Sequence, residues 1–457
     1  LSLQTNILST SQGIAEEYYQ LNNVVDKEGQ INKKIFIINP VLEGQGDLAL
    51  ANKIAKLIPT QASQVMVKSF QVMYRSNGEL ITAKELEERK KYRCDPEQSS
   101  GSIDKAKSDL IVITPFSFSD PKRLANFVKE NFFIHKDMKI VMIDEMAASA
   151  EFSLPNYVKH FRNIGVQQPI EEKRLGFDKG SRFKQGGIGY LALEEAECIA
   201  IEQRAKIELE KLFDSFSLNI DPSAYYYVGY LSTSLPRSSS YAFIINILGE
   251  ICKMKERPSS MNFIFVFHKS TRNFKKEFAD LGKLLSKTHK SIADKFLTLN
   301  LFLINSNQKK NYVSHCCLQN FSGDIPINII IPDEILPKNI WHDFIYLSKS
   351  GIMTGDQSLS DYLSIKKNLP FYEVRGFKKP LQASIIKYAE TFGDQKLKEY
   401  IESKFIDKKL EDDDFLKIFN TPLLNDELKL KVQDFDRALS QRTANDELKK
   451  YFNIVLA

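Results

Sequence analysis

Short runs that are apolar at almost every position alternate along this chain with longer stretches whose apolar residues recur every three or four positions. The first pair is 34–39 (KIFIIN), a buried strand, and 47–58 (DLALANKIAKLI), a helix stopped by Pro59. Strands are also expected at 64–70 (QVMVKSF), 109–116 (DLIVITPF) and 138–146 (MKIVMIDEM), with a helix over 121–131. Residues 76–108 are polar, hold one charged helix over 83–91 and a Ser/Gly loop over 99–102, and read as an insertion. A long helix is expected over 193–216, and Pro222 marks a boundary. The alternation then restarts, with strands at 225–232 (YYYVGYLS), 261–268 (MNFIFVFH), 297–306, 327–331, 344–347 (FIYL) and 370–373. Helices are expected between them at 241–253, 274–289 and 358–366, and beyond 382 helices only.

Strands that are apolar throughout and separated by helices indicate parallel sheets covered on both faces. The expected fold class is therefore α/β, with two Rossmann-like domains and a helical C-terminal tail. The expected boundaries are a helical segment at 1–33, a first domain at 34–221, a second at 222–382 and a tail at 383–457. Two such domains facing each other would place a ligand cleft at the carboxyl ends of their strands.

Composition narrows the class. At 457 residues the chain allows about three ordinary domains or two large ones. Its 31 Phe and 18 Tyr argue against long disorder. Its 63 basic against 58 acidic residues leave a charge of +5, too weak for a dedicated nucleic-acid binder. Five cysteines (Cys94, Cys198, Cys252, Cys316, Cys317) include no CxxC pair and suggest free thiols in a reducing compartment. No stretch approaches 18 uninterrupted apolar residues, so no membrane span is expected, and no signal peptide is visible.

Two loops carry candidate chemistry. The first reads Asn-Pro-Val-Leu-Glu-Gly-Gln-Gly-Asp over 39–47 and leads into a helix. Gly44 and Gly46 let a ligand approach the backbone, and the helix start behind them can receive an anion. Asp47 falls at the expected N-cap, where it is either a plain cap or a base. Position 49 is Ala, which breaks the GxGxxG pattern, and no Gly-Lys-Ser/Thr follows, so nicotinamide and P-loop readings are disfavoured. The second loop contains Gly355, Asp356, Gln357 and Ser358, then a helix, then Pro-Phe-Tyr-Glu ending at Glu373. Gly355, Ser358 and the helix start offer donors to a diphosphate, with Gln357 at the lip of the turn. Glu373 is placed to grip a ribose or sugar hydroxyl.

The two-domain plan, the Gly-Gln-Gly-Asp loop and the Gly-Asp-Gln-Ser helix start resemble glycosyltransferases of the GT-B fold. The nearest pattern is that of bacterial protein-arginine rhamnosyltransferases, which modify a translation elongation factor. The resemblance implies acceptor activation by Asp47 and places Asp356, Gln357 and Ser358 at a Glu-Asp-Ser turn that serves catalysis and diphosphate contact. Here the Glu is shortened to Asp, the Asp is neutralised to Gln, and the first loop is longer. It also implies that the tail packs back on the first domain.

Further candidates are weaker. His268, Lys269 and Arg272 follow a second-domain strand and either meet phosphate or form a solvated basic loop. Ser232, in YLSTS, either lines the donor site or belongs to a simple turn. Asp144-Glu145 and the loop 179–189 have ordinary turn readings beside functional ones. Asp412-Asp413-Asp414 imitates a metal triplet but reads as a solvated face, and no HxxxH or HxH spacing suggests zinc.

The expected function is transfer of a hexosyl or deoxyhexosyl group from a nucleoside-diphosphate sugar to an acceptor, with a protein side chain as one candidate acceptor. No cofactor is called for, and a metal is not required if helix ends and basic residues carry the charge. The alternatives are a sugar-nucleotide epimerase and a catalytically inactive binding protein on the same plan. A cytoplasmic location is expected, with delivery into a host cell as the alternative.

Overall fold

The computed structural model describes residues 33–41, 46–59, 63–71, 105–116, 120–146, 154–177, 187–214, 223–232, 236–267, 273–288, 290–307, 310–332 and 336–457. The chain divides into two compact units, residues 1–175 with 445–457, and residues 176–444.

The strands of the first unit are β1 (Lys33–Val41), β2 (Ser63–Gln71), β3 (Ala106–Lys107), β4 (Leu110–Ile113), β5 (Phe132–Phe133), β6 (Lys139–Asp144) and β7 (Ile170–Arg174). Five of them form one parallel sheet in the order β2-β1-β4-β6-β7, while β3 and β5 pair separately. The unbroken apolar runs have a simple cause. Ile35 to Ile38 and Leu110 to Ile113 are all buried, because helices cover both faces of the sheet. The helix Pro121–Asn131 shows how its boundaries are written. Asp120 accepts the Arg123 amide at 2.8 Å, Pro121 opens the first turn, and Leu124, Ala125 and Val128 form the buried stripe.

The second unit holds β8 (Tyr225–Leu231), β9 (Met261–Phe267), β10 (Phe296–Asn307), β11 (Lys310–Asn320), β12 (Ile325–Pro332), β13 (Ser350–Met353), β14 (Phe371–Glu373) and β15 (Phe405–Ile406). They form one eight-stranded sheet in the order β11-β10-β12-β9-β8-β13-β14-β15. Every pairing is parallel except the β10–β11 hairpin. Both units are thus Rossmann-like, as the alternation predicted, and two Rossmann-like domains are the composition of the GT-B fold.

Several details differ from the sequence reading. The FIYL segment is not a strand; it ends the helix Lys338–Leu347, and the strand follows at Ser350–Met353. Trp341, His342, Asp343, Phe344 and Ile345 are buried in succession, so the end of this helix reads as an apolar run rather than as helical spacing. Strand β11 was not anticipated, because its Ser314, His315 and Cys317 are exposed and it has no apolar run. The short β15 interrupts the expected all-helical tail.

The units also part at 175/176 rather than at 221/222. The reason lies in the helix Glu195–Asp214, whose Arg204 grips Asp343 of the second unit, Nε to Oδ2 at 3.0 Å and Nη2 to Oδ1 at 2.6 Å. Most of the tail stays with the second unit as well. Lys253 Nζ donates to the Phe419 carbonyl at 2.9 Å, and the Leu369 amide donates to Asp436 at 2.9 Å. Of the tail, the helix Asn445–Leu456 belongs to the first unit, where Lys139 Nζ donates to the Val455 carbonyl at 2.8 Å.

Strand β8 contains one residue whose size is fixed by its neighbours. A Cβ on Gly229 would stand 2.4 Å from Phe265 Cδ1 and 2.9 Å from Ile352 Cγ2. Phe265 and Ile352 are fully buried on the strands either side. Gly229→Ala is therefore expected to destabilise the fold by about 1–3 kcal/mol through overpacking. Chemical denaturation checks this, and an unchanged midpoint would show that the ring shifts freely.

Candidate functional site

In an open parallel sheet, a crevice forms at the carboxyl ends of the strands where the strand order reverses. In the second unit β8 sits at that point, paired with β9 on one side and β13 on the other. The carboxyl end of β8 delivers Ser232, that of β13 delivers Thr354 and Gly355, and that of neighbouring β14 delivers Glu373. The sheet thus brings Ser232, Gly355 and Glu373 together with the start of the helix Asp356–Lys366, which carries Asp356, Gln357 and Ser358.

Gly355 is the N-cap of that helix, with φ 81° and ψ 155°, and no side chain caps the first turn. Among the described residues, chain neighbours apart, nothing lies within 4 Å of the position a Cβ on Gly355 would take, so the approach to Gly355 is open. The turn behind it is tied to β14 at several points. The Gly355 amide donates to the Tyr372 hydroxyl oxygen at 3.1 Å, and Thr354 Oγ1 donates to the Glu373 carbonyl at 3.2 Å. Asp356 meets Lys378 at 2.9 Å, with both side chains almost wholly buried.

Ser358 does not begin the helix, as the expected range 358–366 had it. The helix starts two residues earlier, and the Ser358 hydroxyl donates to the Thr354 carbonyl and to the Gly355 carbonyl at 3.0 Å. Gln357 is half-buried in the first turn. Glu373 does not stand open to a ligand as expected. It is 0% exposed, and its carboxylate accepts the Ser232 hydroxyl and the Ser232 amide, the latter at 3.3 Å. Gly44, His268, Lys269 and Arg272 lie outside the described residues, as does most of the loop 179–189.

Lys378 stands beside this turn, and Arg375 precedes it by three residues. Arg375 and Lys378 follow β14 in the run Glu-Val-Arg-Gly-Phe-Lys-Lys, a basic cluster at a strand end that was there to be read. Burial raises the pKa of the Tyr230 hydroxyl, and the Arg375 charge pulls it partly back.

The first unit has its own reversal at β1, between β2 and β4. Asn39 bridges it: its Nδ2 donates to the Asp47 carbonyl at 2.8 Å and to the Thr114 carbonyl at 2.7 Å. Asp47 is the second residue of the helix Gly46–Leu57 rather than its cap, and it is half-buried. Asp144 is not open at the strand end; it is buried against Arg174 at 3.2 Å, and the Arg174 guanidinium lies 5.3 Å from the Phe116 ring. Tyr157 donates to the Phe116 carbonyl at 2.8 Å, and burial, with Asp144 nearby, drives its pKa up. These groups close a polar core at the end of β6 and β7.

Asp412, Asp413 and Asp414 form the first turn of the helix Asp412–Asn420, where Asp414 accepts the Glu411 amide at 3.1 Å in a capping box. Among the described residues no group of three His, Cys, Asp or Glu could hold a metal ion. Among the same residues no helix is long and apolar enough to cross a membrane.

No protein family matches this sequence. No curated protein matches it either. Solved structures do resemble it, at a distance. One is that of EarP-mediated arginine glycosylation of translation elongation factor EF-P, at 9% identity and a TM-score of 0.39, covering 92% of this chain and 99% of that one. A second is a UDP-forming α,α-trehalose-phosphate synthase from Burkholderia xenovorans in complex with glucose-6-phosphate, at 9% identity and TM-score 0.40, covering 93% and 100%. A third is an E. coli trehalose-6-phosphate protein bound with UDP-2-fluoro glucose, at 6% identity and TM-score 0.42, covering 93% and 99%.

Proposed function

We propose that this chain is a glycosyltransferase that moves a sugar from a nucleoside-diphosphate donor to an acceptor. The observation that carries this reading is the open approach to Gly355, at the strand-order reversal of the second unit. A departing diphosphate gathers negative charge as its bond to the sugar breaks. The uncapped helix start supplies amide donors and a positive dipole end for that charge, and Arg375 supplies a guanidinium. Asp47 in the first unit is the base that deprotonates the acceptor, which we take to be a protein side chain. Glu373 holds Ser232 at the floor of the site rather than touching sugar. The free thiols of Cys198, Cys252, Cys316 and Cys317 fit a reducing cytoplasm.

Melting curves with UDP, GDP and dTDP test the donor site. One of them is expected to raise the melting temperature, by the equivalent of about 2.7 kcal/mol at a hundredfold excess over its dissociation constant. No shift with any of the three counts against the reading. Ser358→Ala is expected to weaken that diphosphate roughly five- to tenfold, since it removes one hydroxyl that fixes the Thr354–Gly355 turn. Calorimetry giving unchanged affinity would remove Ser358 from the site.

A further inference from the structure

Along β1 the side chains of Ile35, Ile37 and Asn39 share one face of the sheet, and all three are 0% exposed. A buried primary amide, at a place where the strand pattern asks for another apolar residue, is costly unless its hydrogens are bonded. Both hydrogens of Asn39 Nδ2 are engaged, on the Asp47 carbonyl at 2.8 Å and on the Thr114 carbonyl at 2.7 Å. The Thr114 amide in turn donates to the Ile38 carbonyl at 3.0 Å, which fixes that arm to the sheet. Asn39 therefore joins three segments: the end of β1, the residue after β4, and the first turn of the helix Gly46–Leu57. The arm to Asp47 is the one that bears on function. A helix holds its own backbone least at its start, where the chain enters from a loop and the end frays. Asp47 sits there, and its carbonyl is tied to a buried strand residue.

Building on the acceptor base proposed above, we propose that Asn39 is a positioning residue that anchors Asp47 to the sheet. A base must come within hydrogen-bond reach of the proton it takes, and a displacement of about 1 Å can slow a reaction on the order of 10²-fold. The carbonyl that Asn39 holds belongs to Asp47 itself, so the anchor fixes the main chain from which the carboxyl group projects. Asn39 meets no substrate in this role and acts through Asp47. The chemistry demands an amide at position 39. A carboxylate would set its oxygens against two carbonyl oxygens, and Leu would fill the space and hold neither.

Hydrogen exchange on the full chain, without any ligand, tests the anchor. Asn39→Leu is expected to speed exchange of the amides at 50–53, the first that bond within the helix, at least roughly tenfold, while β6 in the same unit keeps its protection. Unchanged exchange at 50–53 overturns the inference, and so does loss of protection throughout the unit, β6 included. If Asn39→Leu does not fold, Asn39→Ser, whose hydroxyl has a single hydrogen for two carbonyls, gives the same readouts on a smaller scale. Release of nucleoside diphosphate from UDP-glucose, GDP-mannose or dTDP-glucose, with water as acceptor, tests the role. There a water oxygen bonds to the anomeric carbon and gives its proton to Asp47, and the diphosphate leaves with the electron pair of its bond to the sugar. Rates are referred to the chains that bind diphosphate in calorimetry, so unfolded protein does not enter. Asn39→Leu is expected to lower kcat about ten- to hundredfold with diphosphate affinity unchanged. In an Asp47→Asn background the same change is expected to lower it less than about twofold, since the group it positions is gone. An equal loss in both backgrounds overturns the inference. A wild-type chain no faster than Asp47→Asn, or one that releases no diphosphate, overturns the base or transferase reading instead, a failure distinct from that of the anchor, which hydrogen exchange reads without substrate.

Discussion

Replacing Asp47 with Asn is expected to slow sugar transfer by on the order of 10²–10⁴-fold while leaving donor affinity unchanged. The substitution keeps the shape of the side chain and removes its ability to take a proton. It leaves the local backbone in place, because Asn39 holds the Asp47 main-chain carbonyl at 2.8 Å. The donor contacts proposed here lie in the other unit, at Gly355, Ser358 and Arg375, so they have no reason to change. Initial rates of transfer and calorimetry with the diphosphate, run on the same preparation, separate the two effects. An unaltered rate would take the base role from Asp47. A fall in donor affinity would make Asp47 part of donor binding instead.

Much of the fold was legible because parallel strands buried on both faces write themselves as unbroken apolar runs. MNFIFVF and LIVI are such runs, and both are fully buried. The same signal misled at FIYL, the end of a helix, because a four-residue apolar run cannot tell helix from strand. Edge strand β11 is hidden for the opposite reason, since its hydrogen bonds come from the hairpin with β10 and its side chains are largely polar. The unit boundary could not be read from Pro222, because it depends on the clasp between Arg204 and Asp343, far apart in the chain.

The candidate site was legible as a place more than as a set of contacts. A small-residue loop between a strand and a helix located the turn at Gly355. The expected start at 358 falls two residues late, because the positive φ of Gly355 makes it the cap and the helix begins at Asp356. Neither the Ser232–Glu373 bond nor the Asp356–Lys378 pair can be seen in one dimension. Both exist because β14 lies beside β13 and β13 beside β8, an adjacency set by sheet topology.

Gly355→Val is the sharpest test of the donor site, with an expected loss of diphosphate affinity of roughly a hundredfold. Two effects combine in it. At φ 81° and ψ 155° the backbone lies in a region that is essentially reserved for glycine, so any side chain strains it by about 1–3 kcal/mol. The added methyls would also stand in the open space where the phosphates approach, since among the described residues, chain neighbours apart, nothing lies within 4 Å of that position. Strain alone lowers stability, and only obstruction or a displaced turn lowers affinity. Gly393 provides the control, because it has a φ of 69° and equally open surroundings but sits in the loop after the helix Lys379–Glu390. Gly393→Val should therefore lose stability on a similar scale and keep full diphosphate affinity. Melting curves and calorimetry on both variants give four numbers. If both variants lose stability and neither loses affinity, the open space before Gly355 is not where the diphosphate binds.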